Sequence, residues 1–342
     1  DFYMSTLLRQ HAEQQFAEQP KTPSLALARE LAAKMLDLPS RHVLDASVVF
    51  APFNAEVINS VLAQMTPERE RIFHIDNTEE AQTPIPFYEG AYRVRKFTDD
   101  ELVKWRELAK TFELSLPPLN DLFTAGQGEV VESTLLTPKT ILNEAGIEAF
   151  LTHADAYREN KGVLWRELNN PVALESANTY TYAQILSIIL NQQQLSLIDK
   201  AARAGIEISI TQGDTGSLAV RLGGFTQKHE QLLSKLVDDI KQLKISPDDF
   251  VKAQEIMVNN IKNLAKNPPF QQGISKFNQV IRPDVGFESD ALLAAAEGAT
   301  REQIEQYHNR QLADHLLRVY AFGNYQEQSL VNTLKEIQKT LG

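Results

Sequence analysis

The stretch Ala204–Ile240, AGIEISITQGDTGSLAVRLGGFTQKHEQLLSKLVDDI, decides the fold. Ile206, Ile208 and Ile210 alternate with Glu207, Ser209 and Thr211, the period of a strand with one oily and one polar face. The turn Gly213-Asp214-Thr215-Gly216 follows. Leu218, Val220 and Leu222 then alternate with Ala219 and Arg221 as a second strand, which Gly223-Gly224 is expected to break. Leu232, Leu233, Leu236, Val237 and Ile240 recur at helical spacing. The stretch predicts a hairpin with a helix packed on its oily side. The opposite side carries Glu207, Ser209, Thr211 and Arg221 and must meet water, a ligand or another domain. What the chain does turns on which of these it meets.

The 342 residues suffice for two domains or one large one. Hydrophobic residues make up 43% and charged residues 23%, an ordinary globular balance rather than a disordered one. A formal net charge of −11 argues against a nucleic-acid binder, because a phosphate backbone calls for a basic surface. The same charge suits basic partners, and solubility alone accounts for it equally. With no cysteine, disulfides, thiolate metal sites and cysteine nucleophiles are excluded. No run approaches the roughly 18 apolar residues of a membrane span. The opening DFYMSTLLRQH falls inside a helical pattern and KEIQKTLG closes just after another, so both ends are expected to be cuts in a longer protein.

Working outward, helices are predicted over residues 1–18, 25–36 and 57–65, with Ser24 and Asn54 as caps. The run Arg71-Ile-Phe-His-Ile75 is expected to be a strand. From Asp76 to Gly128, prolines and glycines punctuate a connector. A single helix from Asp99 to Thr111 interrupts it, with Thr98 as cap and acids in its first turn. Strands are expected at Val130–Leu136, Lys139–Leu142, Val163–Leu168 and Leu317–Phe322, besides the hairpin. A long helix over Thr179–Arg203 precedes the hairpin, and Ser246-Pro247-Asp248-Asp249 starts another that follows it. The expected architecture is α+β, with five or six strands covered by helices on one side.

No self-contained active site emerges. A zinc site would need histidines and carboxylates, yet neither H-x-x-E-H nor H-E-x-x-H occurs. His229-Glu230 begins such a pattern and fails at Leu233. His308 and His315 lack a third ligand at useful spacing. There is no G-x-S-x-G, and the Gly213–Gly216 turn joins two strands rather than a strand to a helix, so it lacks an anion-binding helix terminus. Trp105 and Trp165 read as core anchors.

The run Thr179–Ile240, from TYTYAQIL to KLVDDI, resembles the third domain of the pitrilysin and insulin-degrading enzyme family. It has the same order: long helix, strand, short turn, strand, a Gly223-Gly224-Phe225 break and a helix. Phe97–Trp105 and Leu116–Asn120 resemble that family's link between its two halves. The runs ALARELAAKMLDLPSRHVL and Phe53-x-x-x-x-Ile58-x-x-Val61-Leu62 are similar to the end of its second domain.

The resemblance implies a metallopeptidase-like fold, of the mitochondrial processing peptidase type, with helices on one face of a mostly antiparallel sheet and a partial domain of the same kind before it. It implies residues 1–97 as the C-terminal part of a second domain, mostly helical, 98–128 as the inter-half connector and 129–342 as a third, non-catalytic domain. The parent is then a zinc-dependent endopeptidase or oligopeptidase, periplasmic by analogy with bacterial members. Its partners are peptide or small protein substrates and the remaining domains of the same polypeptide, with no nucleic acid. The zinc ligands of such proteins, H-x-x-E-H and a later Glu, are absent here, so no metal or catalytic residue carries over. The chain alone should be inactive. Glu207, Ser209, Thr211 and Arg221 are the expected chamber-facing residues. The alternative is a structural core-type subunit or inactive paralogue of the same fold.

Overall fold

The structure is a computed structural model that describes residues 8–17, 22–46, 53–76, 78, 80–113, 115, 120–123, 128–132, 134–154, 159–213, 216–282, 286–313 and 315–342. The chain divides into two compact units, Asp1–Leu119 and Asn120–Gly342.

The first unit holds helices α1 (Leu8–Ala17), α2 (Ser24–Lys34) and α3 (Ala55–Leu62), a two-residue ladder of β1 (Thr83–Pro84) and β2 (Ala91–Tyr92), and helix α4 (Asp99–Ala109). Asn54 caps α3 by accepting from the Val57 N–H. Thr98 and Glu101 form a reciprocal capping box on α4, and the Arg95 guanidinium and these capping bonds hold the Glu101 carboxyl down at about 2. Ser24 does not cap: it is the first helical residue of α2, behind Pro23. Residues 71–75 are irregular rather than a strand: among the described residues no strand lies in a ladder with them, and Phe73 and Ile75 stand 86% and 95% exposed. Among the described residues of this unit only Ala12 and Val43 are buried apolar side chains.

The second unit is built on β3 (Lys139–Glu144), β4 (Ile147–Thr152) and β5 (Lys161–Asn169), then helices α5 (Ala177–Gln193) and α6 (Leu195–Arg203). The hairpin of β6 (Ile206–Gln212) and β7 (Leu218–Phe225) follows. Helices α7 (His229–Lys241), α8 (Pro247–Leu264), α9 (Pro269–Ile281), α10 (Ser289–Glu297) and α11 (Arg301–Ala313) come next, then β8 (Leu316–Gly323) and α12 (Glu327–Leu341). The six strands run in the order β3-β4-β8-β5-β7-β6, with only β4 and β8 parallel. Along every central strand alternate residues go into the core. Leu164 and Leu168, Ile206 and Ile210, Val220 and Leu222, Leu317 and Val319 join one cluster with apolar residues of α5, α7, α8, α11 and α12.

Four local expectations change. The described residues of the 130–136 stretch, 130–132 and 134–136, are not in a strand. Their backbone is held by side chains instead: the Val131 N–H donates to Asn324 Oδ1 at 2.7 Å, and the Thr134 and Leu135 N–H groups both donate to His153 Nδ1. The strand beside β3 is β4, reached through a tight turn with Gly146 at φ 82°. The long helix is divided at Gln194, which lets α6 lie against β6. Gly223 and Gly224 stay inside β7. Gly224 sits at φ 97°, and a Cβ there would lie 2.1 Å from the Gly205 carbonyl oxygen.

Two buried polar groups stand out in this core. Arg166 on β5 is fully buried, and its guanidinium nitrogens meet no partner among the described residues. Burial pulls it down to about 10, so it stays charged at neutral pH. His229, also fully buried, shares a 2.7 Å hydrogen bond between its Nδ1 and the Tyr325 hydroxyl. Burial depresses this imidazole to about 4.

Three outcomes follow for unfolding of the second unit. Gly224→Ala should cost about 2 kcal/mol or more in urea melts, whereas Gly273→Ala, mid-helix with open space around it, should stabilise by roughly 0.5 kcal/mol. Arg166→Met should raise stability by about 1–2 kcal/mol, since a buried charge with no partner among the described residues gives way to an apolar chain of similar length. Finally, an unfolded histidine titrates near ~6.5, above the folded value of about 4, so the unfolded chain takes the proton first as the pH falls. The contribution of His229 is complete above the unfolded value and is lost on the way down to the folded one. That loss amounts to roughly 3 kcal/mol, and His229→Gln should flatten this limb of the stability–pH curve.

Candidate functional site: the open face of the sheet

The residues that do not enter the core share the other face. Register aligns Ser209, Arg221, Trp165, Tyr320 and Phe150 in one row across β6, β7, β5, β8 and β4. The next row runs Glu207, Gly223, Val163, Phe322 and Thr152, and the one on the other side Thr211, Ala219, Glu167, Arg318 and Glu148. Arg221 folds over Gly223, where no side chain competes, and its Nη1 donates to Glu207 Oε2 at 2.7 Å. Arg318 donates to Glu148 at 3.1 Å, Trp165 Nε1 to Glu167 at 3.0 Å, and the Tyr320 hydroxyl to Thr152 Oγ1 at 3.3 Å.

All four residues expected from the sequence, Glu207, Ser209, Thr211 and Arg221, lie on this face. Glu207 and Arg221 are not two independent charges but one ion pair. What the residue-by-residue reading passed over is the aromatic content. Trp165 is not a core anchor. It stands on the open face at 37% exposure, beside Tyr320 and Phe322. The signal was present: Arg318, Tyr320 and Phe322 alternate with core residues along β8, as Val163, Trp165 and Glu167 do along β5. Trp105, in the other unit, packs edge-on against Phe97 with ring centroids 4.6 Å apart.

Four described histidines are committed to hydrogen bonds within the second unit. His308 Nε2 is bonded to the Ile240 carbonyl, His315 to that of Leu312, and His229 to Tyr325. Both ring nitrogens of His153 are engaged, Nδ1 by two N–H groups and Nε2 by the Tyr325 carbonyl. Among the described residues no group of three or more histidines and carboxylates is placed to hold a metal. A cleft of about 600 Å³ lies beside His153, between residues 129–135 and the start of α12, and its Lys139 is tied to Glu327. Among the described residues no helix is long and apolar enough to cross a membrane.

Known proteins carry a related sequence and a similar fold. The family described as the middle or third domain of peptidase_M16 matches residues 16–295. Protease 3 of Salmonella typhimurium is 25% identical over 316 residues, covering 91% of this chain and 32% of that protein. Insulin-degrading enzyme-like 2 of Arabidopsis thaliana is 22% identical over 332 residues, covering 96% of this chain and 34% of that one. The crystal structure of pitrilysin superposes on the whole chain with a TM-score of 0.74 at 22% identity, over 36% of its own length. The chain thus spans about a third of the length of these curated relatives. The mixed six-stranded sheet with its helices is the fold seen in pitrilysin, and the chain belongs to the peptidase M16 family, as its middle or third domain.

Proposed function

We propose that this chain is a non-catalytic segment of a zinc-dependent metalloendopeptidase or oligopeptidase, and that its open sheet face helps enclose the substrate chamber and touches the peptide. One observation carries the reading. In a chain matched by a peptidase middle-domain family, the helices sit on one side of the sheet, while the other side presents Glu207, Ser209, Thr211 and Arg221 in register. A solvated sheet face needs no such family context. Residues 1–97 would be the end of a second domain, 98–128 the connector and 129–342 the third domain. Zinc would be bound by another part of the parent polypeptide, since His153, His229 and His308 are committed to internal hydrogen bonds. A periplasmic address belongs to the same proposal and rests on the resemblance to bacterial members.

The chain's part in catalysis is then indirect. It excludes water from one side of a bound peptide, and it offers side chains on rigid strands that hold the peptide in place. The ion pair of Arg221 and Glu207 is partly exposed, with side chains 31% and 67% accessible, so each charge acts on a ligand only weakly.

In the full-length protein, Glu207→Gln combined with Arg221→Gln should shift the ratio of kcat/KM for basic against acidic peptides by about two- to fivefold, in line with roughly 0.5–1 kcal/mol for rim charges. An unchanged ratio would remove the selective role of these residues. The chain by itself should cleave no peptide with or without added zinc, and zinc-dependent cleavage by it would overturn the assignment of the chemistry to another segment.

A further inference from the structure

We propose that the aromatic row of the open face, Trp165, Tyr320 and Phe150 with Phe322 beside it, is a docking strip for extended peptide segments rich in apolar and aromatic side chains. This rests on the chamber-wall reading and names what the wall selects.

The strip is contiguous. Trp165 opposes Tyr320 across β5 and β8, Tyr320 opposes Phe150 across β8 and β4, and Phe322 opposes Val163 in the next row. Trp165, Tyr320 and Phe322 are 37%, 38% and 42% exposed, large fractions for aromatic rings on central strands. From β5 to β4 the aromatic row crosses two strand intervals of about 4.8 Å, or roughly 10 Å, the reach of about three extended residues.

Charge decides the kind of occupant. Among the described residues six ionised side chains border the strip: Glu207, Arg221, Glu167, Arg318, Glu148 and, one row beyond Val163, Lys161. Arg221 is bound to Glu207, Arg318 to Glu148 and Lys161 to Glu159, while Glu167 accepts the indole N–H. These groups satisfy one another, so an incoming charge must compete with existing bonds to gain anything. What the face offers unopposed is ring surface. The hydroxyls of Ser209 and Thr211 at the β6 end add hydrogen-bonding groups suited to a peptide backbone. Tryptophan and tyrosine on rigid strands supply contact area at little cost in side-chain freedom. The hydrogen bonds of Trp165 to Glu167 and of Tyr320 to Thr152 fix the rings further.

The chain holds two tryptophans, so Trp105→Phe leaves Trp165 as the sole indole reporter. Two fluorescent peptides of about a dozen extended residues and equal net charge serve as probes, one with Phe and Leu at alternate positions, the other with Ser and Asn there. Anisotropy reads binding anywhere on the chain, and Trp165 emission reads binding at the strip. The apolar peptide should bind, shift Trp165 emission to the blue, and lose about tenfold in affinity with Tyr320→Ser plus Phe322→Ser. The polar peptide should bind at least about tenfold more weakly than the apolar one. If Trp105→Phe impairs folding, the anisotropy comparison of the Tyr320→Ser, Phe322→Ser chain with its wild-type parent stands alone.

Binding of the apolar peptide that neither moves Trp165 nor depends on Tyr320 and Phe322 would overturn the strip and leave the wall reading intact. No binding of either peptide would overturn the strip and remove peptide contact from the wall reading as well. Trp165 emission that changes with chain concentration alone would assign the strip to a second copy. Protection of Trp165 from acrylamide in the peptide-free full-length protein would assign it to another domain of the parent. Either result would sink the proposal.

Discussion

Burial on one side only is the constraint on which this molecule depends. Side chains alternate along every central strand, so the residues that enter the core determine which residues remain outside. Leu164, Leu168, Ile206, Ile210, Val220, Leu222, Leu317 and Val319 each lose nearly all their contact with water. At roughly 1.5–3 kcal/mol per side chain, that burial sets the register of the sheet far more firmly than any group on the outer face could. A one-residue slip of β7, β5 or β8 would turn Arg221, Trp165 or Tyr320 respectively into the core. The outer face is therefore a by-product of the core in position, and free to vary in chemistry.

Much of this was legible in the amino acids. The isoleucines at 206, 208 and 210 and the leucines of 218 and 222 marked both strands of the hairpin and its buried side. Ser246-Pro247-Asp248-Asp249 marked the start of α8, where the Ser246 hydroxyl does accept from the Asp249 N–H. The family resemblance drawn from Thr179–Ile240 is matched by the middle-domain family over most of the chain.

The remainder was hidden for physical reasons. β4 reads Ile-Glu-Ala-Phe-Leu-Thr, and its apolar Phe150 and Leu151 blur the alternation because the open face there is aromatic rather than charged. The same blurring concealed the row around Trp165, where hydrophobicity and burial part company. Val130 to Leu136 has the composition of a strand, but among the described residues no strand edge pairs with it, and side-chain acceptors take the N–H groups of Val131, Thr134 and Leu135. Gly223-Gly224 reads as punctuation, although in the ladder it admits the Gly205 carbonyl at a distance no other residue allows. Local pattern reports periodicity well and reports pairing poorly.

His153 has a mechanical consequence. The His153 ring grips the backbone at 134–135 through Nδ1 and the Tyr325 carbonyl through Nε2, while the His153 backbone N–H donates to the Leu135 carbonyl at 2.7 Å. Tension arriving at residues 134–135 is delivered to the junction of β4 with the β8–α12 corner, beside the parallel strand pair. The imidazole thus acts as a rivet, spreading a pull on one thin segment over the broad plate of the sheet.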